Sequence, residues 1–260
     1  DITYLGIPLS EMVNGAFKGV RERILMKNIA YAGALAALLE IDTDVIRALL
    51  KEKFGKKPAL MDSNQKAVDL GYDYAKQHFS CPLPIRLEKM DKTKDAILID
   101  GNTSSGLGAV FAGATVGAWY PITPSTSLME GFKTFCDRFR KTEDGKKKYA
   151  ILQAEDELAA IGMVIGASWA GARSFTPTSG PGISLMSEFV GLAYYAEIPA
   201  VIFNVQRTGP STGMPTRTQQ GDLILCAYAS HGDTRHICIY PSDPKEAFEF
   251  AAKAFDLAER

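Results

Sequence analysis

Gln153-Ala-Glu155-Asp156-Glu157-Leu-Ala-Ala160, a run of further small residues, and then Thr176-Pro-Thr178-Ser179-Gly180-Pro181-Gly182 make up the stretch on which the fold turns. An acidic cluster stands where a short apolar run at 149–153 hands over to a segment of helical period. A Gly/Pro loop follows the next apolar run, at 172–176. Aligned peptide N–H groups make a helix N-terminus locally positive, so carboxylates placed there are held in defined positions. Glycine in the second loop lets backbone approach a ligand closely. The dipole alone would explain an isolated glutamate at a helix start; a Ser-Gly-Pro-Gly loop one helix and one strand later makes this pair a place for chemistry.

Working outward, short apolar runs alternate with helix-period segments from residue 96 to the end. Strands are predicted at 96–99, 115–120, 149–153, 172–176, 200–205 and 236–240, with helices at 103–112, 127–139, 155–170, 182–196, 219–230 and 244–259. Such regular alternation predicts an α/β fold, a doubly wound parallel six-stranded sheet with helices on both faces. Tyr120-Pro-Ile-Thr123-Pro124 follows the second strand, Glu155 to Glu157 the third, Thr178 to Gly182 the fourth, and Gln206-Arg207-Thr-Gly-Pro-Ser-Thr-Gly-Met-Pro-Thr216 the fifth. Ligands of open parallel sheets bind in the crevice at the carboxyl ends of the strands, so these four peculiar segments belong to one site.

The front of the chain is of another character. Residues 28–40 are rich in Ala and Leu, Asp42 or Thr43 can cap a helix running to 54, and Ser63 or Asn64 can cap another running to 78. Cys81-Pro-Leu-Pro84 and the charged run at 88–95 read as a linker. We expect residues 1–86 to be part of one domain, 87–95 to be the linker and 96–260 to be a second domain. Both ends read as cut, as in a segment of a longer polypeptide.

Composition excludes several classes. The formal net charge of −1 gives no electrostatic case for nucleic acid or an anionic membrane. No apolar run reaches the length of a bilayer span and no secretory signal opens the sequence, so a cytoplasmic location is expected. The four cysteines, Cys81, Cys136, Cys226 and Cys238, form no Cys-x-x-Cys pair, and His78, His231 and His236 lack metal-ligand spacing. No metal is therefore assigned to this chain. Gly101-Asn-Thr-Ser-Ser-Gly106-Leu-Gly108 lacks the Gly-Lys-Ser/Thr ending of a P-loop and does not complete Gly-x-Gly-x-x-Gly; its glycines are expected to let a helix pack closely. No Gly-x-Ser-x-Gly elbow is present.

Taken together, Tyr120 to Pro124, Glu155 to Ala160, Thr178 to Gly182 and Gln206 to Gly213 resemble the pyrimidine-binding domain of thiamine-diphosphate enzymes, and within that superfamily the alpha part of 2-oxoacid:ferredoxin oxidoreductases. Gly6-Ile-Pro-Leu9, Lys27-Asn28 with the Ala/Gly helix behind it, and Asn64 through Tyr72 resemble the latter half of that family's gamma domain. Its glycine-rich opening is missing here. The order gamma then alpha resembles the fused large subunit of 2-oxoglutarate or broad-range enzymes.

That resemblance implies oxidative decarboxylation of a 2-oxoacid with CoA, giving acyl-CoA and CO₂ and reducing ferredoxin. The expected substrate is 2-oxoglutarate; pyruvate, a branched-chain or an aryl 2-oxoacid, and a noncatalytic interface role, stay open. By the same resemblance Glu157 hydrogen-bonds N1′ of the aminopyrimidine, with Glu155 the competing acid. Tyr120, Pro121, Ile122, Thr178, Ser179 and Gly180 line the cofactor. Thr123, Arg207 and Thr216 meet the substrate, where the arginine fork suits a carboxylate. Arg217 is a further cation in an exposed loop, disfavoured as a ligand. The Gly-Asp-Gly motif for diphosphate and Mg²⁺ and the cysteines of a [4Fe–4S] cluster are absent from this sequence, so both groups are expected on a partner beta subunit.

Overall fold

Residues 2–260 are described by the computed structural model, and they divide into two compact units, one ending at Ala96 and the other spanning Ile97–Arg260. The first unit is helical, with α1 (Leu9–Ala16), α2 (Val20–Leu38), α3 (Thr43–Phe54) and α4 (Pro58–His78). Its core is the α2–α4 pair, which touches backbone to backbone. A Cβ on Gly33 would lie 2.0 Å from the Val68 carbonyl oxygen, and one on Gly71 would lie 1.8 Å from that of Ala30. Asp42 caps α3 through the Asp44 N–H at 2.9 Å. The expected start of α4 at Ser63 or Asn64 is corrected: the helix begins at Pro58, whose missing N–H costs nothing in a first turn. Ser63 instead donates to the Glu22 carboxylate at 2.7 Å. The segment after α4 is tied down where Leu83 and Leu87 donate to the carbonyls of Leu38 and Leu39.

The second unit contains α5 (Gly101–Phe111), β1 (Val116–Trp119), α6 (Thr126–Phe139), β2 (Ala150–Gln153), α7 (Glu157–Trp169), β3 (Ser174–Thr178), α8 (Gly180–Tyr195), β4 (Val201–Asn204), α9 (Leu223–Ala227) and α10 (Pro244–Ala258). The four strands pair in parallel, in the order β2-β1-β3-β4. On one face Phe175 and Val201 pack with Val110 of α5, Phe132 of α6 and Phe255 of α10. On the other, Ala118 packs with Ile161 and Val164 of α7 and Met186 of α8. The sheet is thus doubly wound, as expected from the alternation.

Four strands, not six, form the ladder among the described residues. Residues 96–99 and 236–240 are apolar enough to read as strands but run unpaired, with Leu98 and Ile237 exposed. Apolar pattern reports a capacity for burial, not the presence of a ladder partner. The helix expected at 219–230 shrinks to α9 because Asp222 (φ 58°) and Ser230 (φ 85°) hold left-handed backbone that breaks a helix on either side. The Gly-Pro-Gly segment is not a loop: Thr178 is the last residue of β3, and Gly180 to Gly182 form the first turn of α8. The glycines of α5 serve close packing. A Cβ on Gly106 would meet the Leu128 carbonyl oxygen at 2.7 Å, and one on Gly108 that of Phe248 at 2.3 Å.

Candidate active site

The ends of β1, β2, β3 and β4 lie side by side because the parallel register aligns Trp119 with Gln153 and Thr178 with Asn204. The segments leaving the four strands therefore meet at one edge. After β2, Asp156 adopts extended backbone and its carboxylate accepts from the Ala159 N–H at 2.6 Å, which fixes the start of α7. Glu157 is then the first helical residue and is buried, at 6% exposure, while Glu155 is exposed.

Across from Glu157 lies the first turn of α8. A Cβ added to Gly182 would stand 1.9 Å from Thr178 Oγ1 and 2.9 Å from Glu157 Cγ, so carboxylate stem and hydroxyl close on the glycine from two sides. Thr178 and Ser179 are fully buried, and Ser179 Oγ has no hydrogen-bond partner. Gly180 is approached in the same way by Asp222, whose Oδ2 would lie 2.7 Å from an added Cβ.

After β1, the turn at Tyr120 to Pro124 is held by Ser125 Oγ donating to the Ile122 carbonyl at 2.8 Å and by Asn102 donating to the Pro124 carbonyl at 3.0 Å. Tyr120, Pro121 and Thr123 are exposed on this turn and Ile122 is half-buried. After β4, Arg207 is buried at 7% exposure. Its Nη1 donates to the Thr123 carbonyl at 2.7 Å and its Nη2 to the Thr212 carbonyl at 2.9 Å, while Nε is unpartnered. The guanidinium fork expected to be open for a carboxylate is thus engaged on both arms by backbone. Thr216 sits apart on the exposed remainder of that loop, where its hydroxyl accepts from Arg217 Nη1 at 3.2 Å.

Residues that sequence reasoning did not single out complete the wall. Gln206 clamps Gly221 from both ends of its amide, donating to its carbonyl and accepting from its N–H. Asn204 donates to Asp222 Oδ2 at 3.4 Å and to Cys226 Sγ at 3.3 Å. Burial pushes the Cys226 thiol up, the Asn204 bond opposing it, so this cysteine stays a protonated structural group. The only signal for this latch was the polar residue at the end of an apolar strand.

A buried carboxyl group at a helix start, a flat glycine turn and orphaned donors at Ser179 and Arg207 fit a planar, nitrogen-bearing heteroaromatic ring with an anionic neighbour. Among the described residues no group of three or more His, Cys, Asp or Glu is arranged to hold a metal ion. No helix among them is long and apolar enough to cross a membrane.

Residues 107–260 match the family model described as pyruvate flavodoxin/ferredoxin oxidoreductase, thiamine diP-bdg, and residues 1–74 match that for pyruvate ferredoxin/flavodoxin oxidoreductase. The chain is 38% identical over 232 residues to 2-oxoacid:ferredoxin oxidoreductase 1, subunit alpha, of Aeropyrum pernix, covering 88% of this chain and 35% of that protein. It is 47% identical over 161 residues to the 2-oxoglutarate synthase subunit KorA of Methanothermobacter thermautotrophicus, covering 62% and 41% respectively. Among solved structures it resembles 2-oxoglutarate:ferredoxin oxidoreductase from Magnetococcus marinus with 2-oxoglutarate, coenzyme A and succinyl-CoA bound. That match has a TM-score of 0.76 and 36% identity over 98% of this chain and 42% of the other. The chain spans well under half the length of each of these relatives.

Proposed function

The chain belongs to the pyruvate ferredoxin/flavodoxin oxidoreductase family, with its thiamine-diphosphate-binding domain at residues 107–260, and on that premise we propose that it works as part of a 2-oxoacid:ferredoxin oxidoreductase acting on 2-oxoglutarate. The reaction joins decarboxylation of the 2-oxoacid to acyl transfer onto CoA, with two electrons passed to ferredoxin. The observation that carries this reading is the burial of Glu157 against Gly182 and Thr178 at the carboxyl edge of the sheet.

Bound thiamine diphosphate supplies a nucleophilic thiazolium carbon and an electron sink. Glu157 would hydrogen-bond the ring nitrogen N1′ and so favour the imino tautomer of the aminopyrimidine. Ser179 offers its unpartnered hydroxyl, and Thr178 with Gly180 and the Tyr120–Ile122 turn walls the ring. Thr123 presents a hydroxyl that can donate or accept toward the substrate. Arg207 orients that turn through the Thr123 carbonyl and adds positive charge for the substrate carboxylate, and Thr216, on the exposed remainder of the same loop, is the further substrate-binding residue. The diphosphate, Mg²⁺ and a [4Fe–4S] cluster belong to a beta subunit that faces this wall. Residues 1–86 are the end of a gamma domain, joined by 87–95, and the complex is cytoplasmic.

The relatives named for 2-oxoglutarate favour that substrate over pyruvate. The test is co-expression with the beta subunit and CoA-dependent viologen reduction across a panel of 2-oxoacids. We expect preference for 2-oxoglutarate and loss of oxidation in Glu157→Gln. Full activity in that variant would remove the catalytic assignment, and strict preference for pyruvate would remove the substrate assignment.

A further inference from the structure

Tyr120, Pro121 and Thr123 are exposed on the turn after β1, yet three successive carbonyl oxygens of that turn are each taken by a side chain. Ser125 Oγ donates to the carbonyl of Ile122 at 2.8 Å, Arg207 Nη1 to that of Thr123 at 2.7 Å, and Asn102 Nδ2 to that of Pro124 at 3.0 Å. A turn this exposed can leave its carbonyls to water, and ordering a side chain costs rotamer entropy. Three side chains spent here therefore fix the direction of the backbone.

Asn102 reaches the turn from a rigid base. It stands in the first turn of α5, which Asp100 caps by accepting from the Thr103 N–H at 2.9 Å and from Thr103 Oγ1 at 2.6 Å. The neighbouring helix leaves that turn no room to shift, since a Cβ on Gly131 of α6 would lie 3.1 Å from Thr103 Cα. Both protons of the Asn102 amide are used, because Nδ2 also donates to Ser127 Oγ at 2.9 Å. The Pro124 carbonyl can only accept, which assigns the amide nitrogen to this side. Close packing accounts for the glycines of the 101–108 segment but not for Asn102.

We propose that Asn102 is a positioning residue for the reaction, holding the Pro124–Ser125 peptide so that the Thr123 hydroxyl is presented to the substrate. That peptide plane is pinned at both edges: its carbonyl accepts from Asn102, and its N–H, on Ser125, donates to the Ile122 carbonyl at 2.8 Å. The planes on either side of the Thr123 Cα carry the Ile122 and Thr123 carbonyls, held by Ser125 and Arg207. With these fixed, and with φ of Pro124 set by its ring, Thr123 keeps little backbone freedom. Asn102 itself touches no reacting atom; it acts through Ser125 on Thr123. The proposal rests on the role of Thr123 toward the substrate.

Asn102→Asp keeps the shape and withdraws the donor. In the assembled complex this variant should lower kcat/KM for the preferred 2-oxoacid roughly ten-fold or more, as misplacement of a group in the site does. Calorimetric affinity for thiamine diphosphate should be unchanged, and crystals of the variant complex should show the Pro124 carbonyl turned from its wild-type direction. A double-mutant cycle separates positioning from general stability: in Thr123→Val, which lacks the hydroxyl, the same change at Asn102 should cost nothing further. A wild-type kcat/KM in Asn102→Asp, an unmoved carbonyl, an equal loss with and without the Thr123 hydroxyl, or a fall in cofactor affinity matching that in kcat/KM would each overturn the proposal. If Thr123→Val kept the wild-type kcat/KM, the role of Thr123 would fall and the proposal with it. An impaired Thr123→Val beside an intact Asn102→Asp would remove Asn102 alone, so the two failures are distinguishable.

Discussion

Arg207 donates from Nη1 to the carbonyl of Thr123, 84 residues earlier, at 2.7 Å. The residues follow β4 and β1, which are not neighbours: β3 lies between them. The guanidinium therefore bridges the end of β3, where Thr178 and Ser179 sit. A second donor bond, to the Thr212 carbonyl, anchors the far side. Lysine has three N–H donors but only one nitrogen, so it lacks the planar fork that reaches the two carbonyls from separate atoms. Arg207→Lys should lose about 1–3 kcal/mol of stability in denaturant titration. On the proposed function it should also weaken 2-oxoacid binding in the assembled complex, read as a raised KM.

Gly182 and Gly166 give opposite expectations for the same substitution. Gly182→Ala forces a methyl group against Thr178 Oγ1 and Glu157 Cγ, and on the role proposed for Glu157 a shift of about 1 Å there should cost about 10²-fold in rate. Nothing lies within 4 Å of a Cβ on Gly166, in the interior of α7. Gly166→Ala should therefore stabilise by about 0.5–1 kcal/mol, and thermal melts alongside turnover of both variants check the pair.

Asp156→Ala removes the cap of α7 and should cost about 1 kcal/mol. Because the capped turn also aims Glu157, affinity for thiamine diphosphate should fall in the same variant; Asp156→Asn, which can still cap, should retain it. Calorimetric titration of the assembled complex reads both.

Asp137 gives a pH dependence of defined sign. Hydrogen bonds from Lys141, Tyr149 and Lys133 hold its carboxyl below the usual range, Lys141 contributing most. A carboxyl depressed in the fold stabilises above its unfolded value of about 3.9 and loses that contribution as pH falls through the folded value. The melting difference between wild type and Asp137→Asn should thus be largest near neutrality and shrink below about pH 4. Tyr149, pushed up to about 12 by burial and then by Asp137, acts oppositely: its contribution is present below its unfolded value of about 10 and is lost as pH rises through 12. Melts across both limbs test these signs.

The alternation of apolar runs and Gly/Pro breaks locates four strands within two residues at each end, since burial period and turn chemistry are local properties. Pairing is not local, so 96–99 and 236–240 read as strands although neither has a partner. The same limit applies to the candidate site. Glu157, Thr178 and Gly182 can be assigned to one edge because each follows a strand end. That Arg207 spends both arms on backbone, that Asp222 lies against Gly180, and that Thr176 is orphaned all depend on contacts tens of residues apart. No periodicity encodes them.

The tight seat of α5 on α10 sets an order of events in synthesis. Ser104 Oγ donates to the Pro244 carbonyl across 140 residues, and Gly108 lies flat beneath Phe248. At about 5–20 residues per second, α5 leaves the ribosome roughly 7–28 s before the helix that covers it. In that interval β1 to β4 and the four segments of the candidate site have all emerged, while the glycine face of α5 stays bare. Helix α10 is thus the one that closes the unit, and a nascent chain stalled before residue 244 would hold every segment of the candidate site with one side of its core open to water.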